Sequence, residues 1–178
     1  MGTDPKNPLF HPKRLYLKTK AYLNFYEQLY QWLCNGVPGA YIHGHARRGK
    51  TFASRMILSE MKTRSNENIP VLRMAMHRRD QKTIKMVFYR LAKSNKLAFS
   101  ERATCDRLSS HVKEYLCDCA ATNDESRVVL LVDEAQRLSI EQVEAFSEIY
   151  DDLEENKISI SIFLIGNTAE SEPLLNKI

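Results

Sequence analysis

The chain has 178 residues, about one domain's length, and a chain of that size buries roughly 70% of the surface its unfolded form would expose. Hydrophobic residues at 43% and charged residues at 27% are ordinary globular values, and no apolar run exceeds the five residues 128–132, which excludes disorder, a collagen-like fibre and a transmembrane span. The net charge of +4 hides an asymmetry: residues 1–90 carry 17 Lys and Arg against 5 Asp and Glu, whereas residues 91–178 carry 9 against 17. That division predicts one face for a polyanion and another for a basic partner, a second copy of the chain included.

The first residues, Met1 to Pro5, lack an apolar stretch behind a basic start, so no secretory signal is expected and the cytoplasm is the expected compartment. Pro5, Pro8 and Pro12 among cations predict an extended basic arm over residues 1–18, with the remaining residues, 19–178, forming one core. From Thr19 to Cys34, apolar side chains recur at Tyr22, Phe25, Tyr26, Leu29, Tyr30 and Leu33, the spacing of an amphipathic helix. Its aromatic stripe suits either core packing or a platform for a base. Gly36, Pro38 and Gly39 end it.

Residues 40–43 predict a strand, and 50–64 a helix with Phe52, Met56 and Met61 facing inward. Residues 71–76 predict a second strand, followed by a basic helix over 81–98 and another over 104–121. Residues 128–132 form a buried central strand. Ser139 caps a helix reaching to about Asn156, with Gln142 completing the S-x-x-Q capping box and Leu138 placed to pack on Val143. Residues 158–165 are the fourth strand. Alternating strands and helices, with near-continuous Val, Ile and Leu in the later strands, predict an α/β fold: a parallel sheet covered by helices on both faces. Cys34, Cys105, Cys117 and Cys119 do not have zinc spacing and are read as reduced thiols.

Three motifs carry chemistry. Gly44-His45-Ala46-Arg47-Arg48-Gly49-Lys50-Thr51 fits G-x-x-x-x-G-K-[ST] between a predicted strand and a predicted helix, and Phe52 follows it into that helix. Such a loop turns successive N–H groups and a helix N-terminus toward a phosphate, with Lys50 reaching the β- and γ-phosphates and the Thr51 hydroxyl ligating Mg²⁺. The strand 128–132 runs into Asp133 and Glu134; the first is placed to hold Mg²⁺ and the second to polarise an attacking water. The fourth strand leads into Gly166 and Asn167, whose amide is expected near the γ-phosphate. Basic residues Arg73, His77, Arg78, Arg79, Lys82, Lys85 and Arg90 follow or lie on the second strand and read either as a solvated face or as phosphate contacts that need no base specificity, with Arg78, Arg79, Lys82 and Lys85 the candidates for the second. The acidic residues Glu141, Glu144, Glu148, Asp151, Asp152, Glu154 and Glu155 read as a solvated helix face or a protomer contact.

The phosphate loop, the Asp133-Glu134 pair and Asn167 resemble the Walker A, Walker B and sensor 1 motifs of AAA+ P-loop ATPases. Asp133-Glu134-Ala135-Gln136-Arg137-Leu138 and Phe163-Leu164-Ile165-Gly166 resemble the transposition-regulator branch, the TnsC, TniB and MuB type. That resemblance covers residues 15–170. It implies an ATP- and Mg²⁺-dependent homo-oligomer that binds double-stranded DNA, marks a target and recruits transposase or target-selection proteins, with no membrane partner. It also implies a fifth strand, an arginine finger and a helical lid with sensor 2. The 13 residues after Ile165 leave no room for these, so a core incomplete at its C-terminus and lacking the lid is expected. Other readings are a non-hydrolysing ATP-gated protein-binding module, a secretion-type AAA ATPase and a P-loop kinase for a small metabolite.

Overall fold

The computed structural model describes residues 18–45, 49–57, 60–168 and 170. The elements run in the order α1 (Lys20–Cys34), β1 (Gly39–Gly44), α2 (Lys50–Ile57), β2 (Val71–Ala75), α3 (Ile84–Ser94), α4 (Cys105–Ala120), β3 (Arg127–Asp133), α5 (Ile140–Glu155) and β4 (Ser159–Asn167). Of the arm expected over 1–18, residues 1–17 lie outside the described residues.

The strands form one parallel sheet in the order β1-β4-β3-β2. Successive side chains along a strand point to opposite faces, and this alternation sorts the core into two layers. Val128, Leu130 and Val132 of β3 join Ile160 and Ile162 of β4 under α3, α4 and α5. Val129 and Leu131 join Phe163 and Ile165 under α1 and α2. The continuous apolar runs of β3 and β4 are thus buried on both sides, as a sheet covered on two faces requires. Gly39 is needed for the β1–β4 approach, because a Cβ there would lie 2.2 Å from the Ile162 carbonyl oxygen.

Two of the helices carry a threonine hydroxyl cap at the N-terminus. The Thr19 hydroxyl accepts from Tyr22 N–H at 3.2 Å, and the Thr104 hydroxyl accepts from Arg107 N–H at 3.3 Å. At the other end of α1, Arg64 donates to the Cys34 carbonyl at 2.5 Å and Arg127 to the Leu33 carbonyl, so two guanidinium groups meet the negative end of the helix. Gln142 accepts from Ser139 N–H at 3.1 Å, and its amide also donates to the Gln81 and Thr83 carbonyls, tying α5 to the entry of α3. Leu138 and Val143 belong to the same core cluster.

Two helices are shorter than the periodicity predicts. Residues 60–64 are not helical: Thr63 N–H donates to the Glu67 carbonyl at 2.8 Å and Ile69 N–H to the Met61 carbonyl at 3.0 Å, forming a hairpin around Asn66, which sits at φ 68°. Thr63, Ser65, Asn66 and Asn68 favour turns over helix, and Met61 is buried from the hairpin instead. Helix α3 begins at Ile84 because Thr83 is extended, and it ends at Ser94, where the Asn95 amide folds back onto the Leu91 carbonyl at 2.8 Å.

Candidate functional site

The sheet register gathers the chemistry at one end. Gly44 stands opposite Asn167, and Asp133 lies opposite both Ile165 and Ala75, so the ends of β1, β4, β3 and β2 are neighbours. This is where parallel α/β sheets bind ligands. Gly49 enters α2 at φ 82°, a conformation that favours glycine, and places Lys50 and Thr51 on the first turn. Lys50 Nζ folds back over the loop and donates to the Gly44 carbonyl at 2.6 Å and the His45 carbonyl at 2.8 Å. Ala46, Arg47 and Arg48 lie outside the described residues.

Asp133 is buried and doubly held. Its Oδ1 accepts from Glu134 N–H at 3.0 Å, and its Oδ2 lies 2.5 Å from Arg73 Nη2. Arg73 Nε donates in turn to Ser54 Oγ at 3.0 Å, and Ser54 Oγ donates to the Thr51 carbonyl at 3.0 Å. A continuous chain of contacts therefore joins the first turn of α2 to the end of β3.

Glu134 takes a left-handed backbone, φ 58° and ψ 35°, which turns the chain into the short 3-10 turn Ala135–Arg137 over the end of β4. Its Oε2 accepts from Gln136 Nε2 at 2.9 Å and lies 2.7 Å from Arg137 Nη2. Gln136 Oε1 accepts from Asn167 N–H at 3.2 Å. Arg137 Nη1 donates to the Met76 carbonyl at 3.0 Å, and Lys82 Nζ donates to the Arg137 carbonyl.

Lys50, Thr51, Asp133, Glu134, Gln136 and Asn167 line a cavity of about 610 Å³. Against it lies an apolar cavity of about 350 Å³, walled by Tyr22, Phe25, Ile42 and Ala53 and sharing Gly49, Lys50 and Phe52. Phe52 is 41% exposed and forms part of both walls, which corrects its expected inward position: it follows Lys50 and Thr51 on the helix turn that faces the site. The apolar stripe of α1 packs into the core through Tyr22, Leu29 and Leu33, and Tyr22 and Phe25 also wall the apolar cavity. A cation, a hydroxyl and a carboxylate beside an apolar recess fit the phosphates, Mg²⁺ and base of a nucleotide.

The basic segment separates into two groups. Arg78, Arg79 and Lys82 are exposed and Lys85 is half-buried. Arg73 is not surface charge, because it pairs with Asp133 inside the sheet end. Arg90 is likewise internal: its Nε donates to Asp80 Oδ2 at 2.9 Å, and the same carboxylate oxygen accepts from His77 N–H at 2.7 Å. On the acidic helix, Glu148 and Asp152 are both taken by Lys113 of α4. Among the described residues, no helix is long and apolar enough to cross a membrane.

Sequence reasoning left Arg73 outside the site and assigned no task to Gln136 or Arg137 beyond the motif they belong to. A lone arginine inside the otherwise apolar β2, Val71-Leu72-Arg73-Met74-Ala75, was the available signal, since a charge in a buried strand needs a partner.

A family model described as AAA domain matches residues 38–175. Among solved structures, the chain is similar to the ORC2 protein of Aeropyrum pernix in its ADPNP-ADP complexes, at 12% identity and a TM-score of 0.60 over 92% of this chain and 44% of that one. It is similar to Cdc6p from Pyrobaculum aerophilum, at 17% identity and a TM-score of 0.61 over 98% of this chain and 44% of that one. It is also similar to Drosophila ORC bound to DNA, at 16% identity and a TM-score of 0.53 over 87% and 40%. The chain thus spans less than half the length of these structures, and at such identities the likeness is one of fold. No curated protein matches the sequence.

Proposed function

The chain belongs to the AAA domain family, and from that premise we propose that it is a cytoplasmic ATP-binding ATPase that binds duplex DNA as an oligomer and regulates DNA transposition. The observation that carries the nucleotide half of this reading is the convergence of Lys50, Thr51, Asp133, Glu134 and Asn167 on one cavity from α2, the end of β3 and the end of β4. Lys50 would leave the Gly44 and His45 carbonyls for the β- and γ-phosphates, which present stronger acceptors to its ammonium. Thr51 and Asp133 would hold Mg²⁺, with the base in the apolar recess between Phe25 and Phe52. When bound, the metal ion neutralises charge that develops on the phosphates. Glu134 then orients and polarises the attacking water, and Asn167 contacts the γ-phosphate.

Support for DNA comes from the exposed cations Arg78, Arg79 and Lys82, which follow β2 at the same end of the sheet as the cavity. Both chemistries occur in proteins of similar fold: the Aeropyrum pernix ORC2 structure is of ADPNP-ADP complexes and the Drosophila ORC structure is bound to DNA. Transposition, with a transposase or target-selection protein as partner, rests on the resemblance of residues 133–138 and 163–166 to that branch. A second reading, an ATP-gated binding module without turnover, is favoured by the two donors already on Glu134 Oε2.

Titrating labelled duplex DNA with and without Mg-ATP at two salt concentrations tests the assignment. Binding that needs ATP and weakens steeply with salt is expected. An absence of DNA binding in both states removes the regulator reading, and ATP affinity without turnover selects the binding module.

A further inference from the structure

We propose that Gln136 is a positioning residue that couples the end of β4 to Glu134, so that the state of Asn167 sets the aim of the carboxylate. The inference rests on the reading above in one respect, that Glu134 acts on the water and Asn167 meets the γ-phosphate.

The geometry is a two-ended clamp. A side-chain amide has a donor end and an acceptor end, and here each meets a group that accepts no alternative: a carboxylate oxygen only accepts and a backbone N–H only donates. The Glu134 contact at 2.9 Å and the Asn167 contact at 3.2 Å therefore fix the amide's orientation. The left-handed backbone at Glu134 is what brings Gln136 back over β4. A planar amide with one hydrogen bond at each end transmits a displacement of the Asn167 backbone to Glu134 Oε2. Asparagine is one methylene shorter, and glutamate has no donor for Glu134.

The opposing pull comes from Arg137. It shares Glu134 Oε2 at 2.7 Å and is anchored on the Met76 carbonyl at 3.0 Å, on the β2 side of the site. With Gln136 in place the carboxylate is held from both sides. Without it, Glu134 follows Arg137 away from Asn167. A 1 Å misplacement of a catalytic group is enough to lower a rate about 100-fold.

The test compares the parent with Gln136→Ala and Gln136→Glu in turnover, ATP affinity, thermal stability and residue-resolved amide hydrogen exchange at Asn167. Gln136→Ala is expected to lower kcat about 10- to 100-fold while ATP affinity and Tm stay close to the parent's, and to speed exchange at Asn167. Gln136→Glu keeps the acceptor and loses the donor, so it is expected to lose turnover while Asn167 stays protected. In a Glu134→Ala background, Gln136→Ala is expected to cause no further loss of kcat. An unchanged kcat in Gln136→Ala overturns the proposal, as does a loss matched by equal losses of ATP affinity or Tm. A parent without turnover defeats the hydrolytic reading itself, and the coupling is then judged by exchange: a non-hydrolysable ATP analogue must slow Asn167 exchange in the parent and not in Gln136→Ala. Equal slowing in both overturns it.

Discussion

Arg73 and Asp133 form an ion pair at 2.5 Å with side chains only 18% and 4% exposed, so the carboxylate proposed to hold Mg²⁺ is anchored by a cation from the neighbouring strand. Arg73 also reaches Ser54 on α2, and both contacts use the planar fork of the guanidinium. Replacing one partner of a buried pair leaves the other charge without compensation. Arg73→Met is expected to destabilise the fold by about 3–5 kcal/mol, read as a lower urea midpoint at unchanged m. Arg73→Lys is expected to restore little of this, because one ammonium does not meet Ser54 and Asp133 together. A stability equal to the parent's in Arg73→Met would place Arg73 among the surface cations after all.

Variants of Lys50 and Glu134 test the proposed binding and turnover roles separately. Among the described residues Lys50 donates to the Gly44 and His45 carbonyls, and its removal takes away charge-assisted contacts worth about 1.5–3 kcal/mol each. Lys50→Ala is expected to weaken ATP binding at least about 100-fold in a fluorescent-analogue titration. Glu134→Gln is expected to keep that affinity and to lower kcat about 10²- to 10⁴-fold. Unchanged affinity in the first variant would exclude this loop as the phosphate site. Full hydrolysis by the second would remove Glu134 from its role.

Asp80 gives a pH signature. Burial by itself would push its carboxyl up, but the Arg90 guanidinium and the His77 N–H outweigh burial and hold it below the usual carboxylate range. A depressed folded value means that the unfolded chain binds the proton first, so the stabilisation is complete above the ordinary carboxylate range and is lost as pH falls through the folded value. Asp80→Asn is expected to lower Tm at pH 7, with the gap to the parent narrowing in acid. A gap independent of pH would show that the charge of Asp80 contributes nothing.

How far the sequence reveals this molecule depends on whether a contact is local. The runs Val128 to Val132 and Ile162 to Ile165 announce strands buried on both faces, and the phosphate loop and the Asp133-Glu134 pair are contiguous stretches whose chemistry is legible from residue type. Gln136 to Asn167 and Arg73 to Asp133 are separated by 31 and 60 residues; parallel register brings the second pair together, and register with the left-handed turn at Glu134 the first. The hairpin after α2 was hidden for another reason: Met56 and Met61 continue an apolar pattern across residues whose side chains favour turns, and the turn prevailed.

The basic segment offers the sharpest division between surface and interior charge. Arg78 and Arg79 are exposed between the end of β2 and the start of α3, whereas Arg90 spends its charge on Asp80. A cation that neutralises a DNA phosphate releases a counterion and adds about 0.9 to the slope of log K against log salt, whatever the base sequence. Replacing both Arg78 and Arg79 by Ala is therefore expected to weaken duplex binding uniformly across sequences, and to reduce that slope by about 1.8, with Tm unchanged. Arg90→Ala is expected to do the reverse, lowering Tm through the unpaired Asp80 while leaving the slope as it was. If the two variants shifted the slope equally, the DNA face would have to lie elsewhere on the basic half of the chain. If neither did, the charge asymmetry would be serving a protein partner, and the Lys82 contact to Arg137 would be an internal tether of the 77–82 segment rather than part of a phosphate-binding surface.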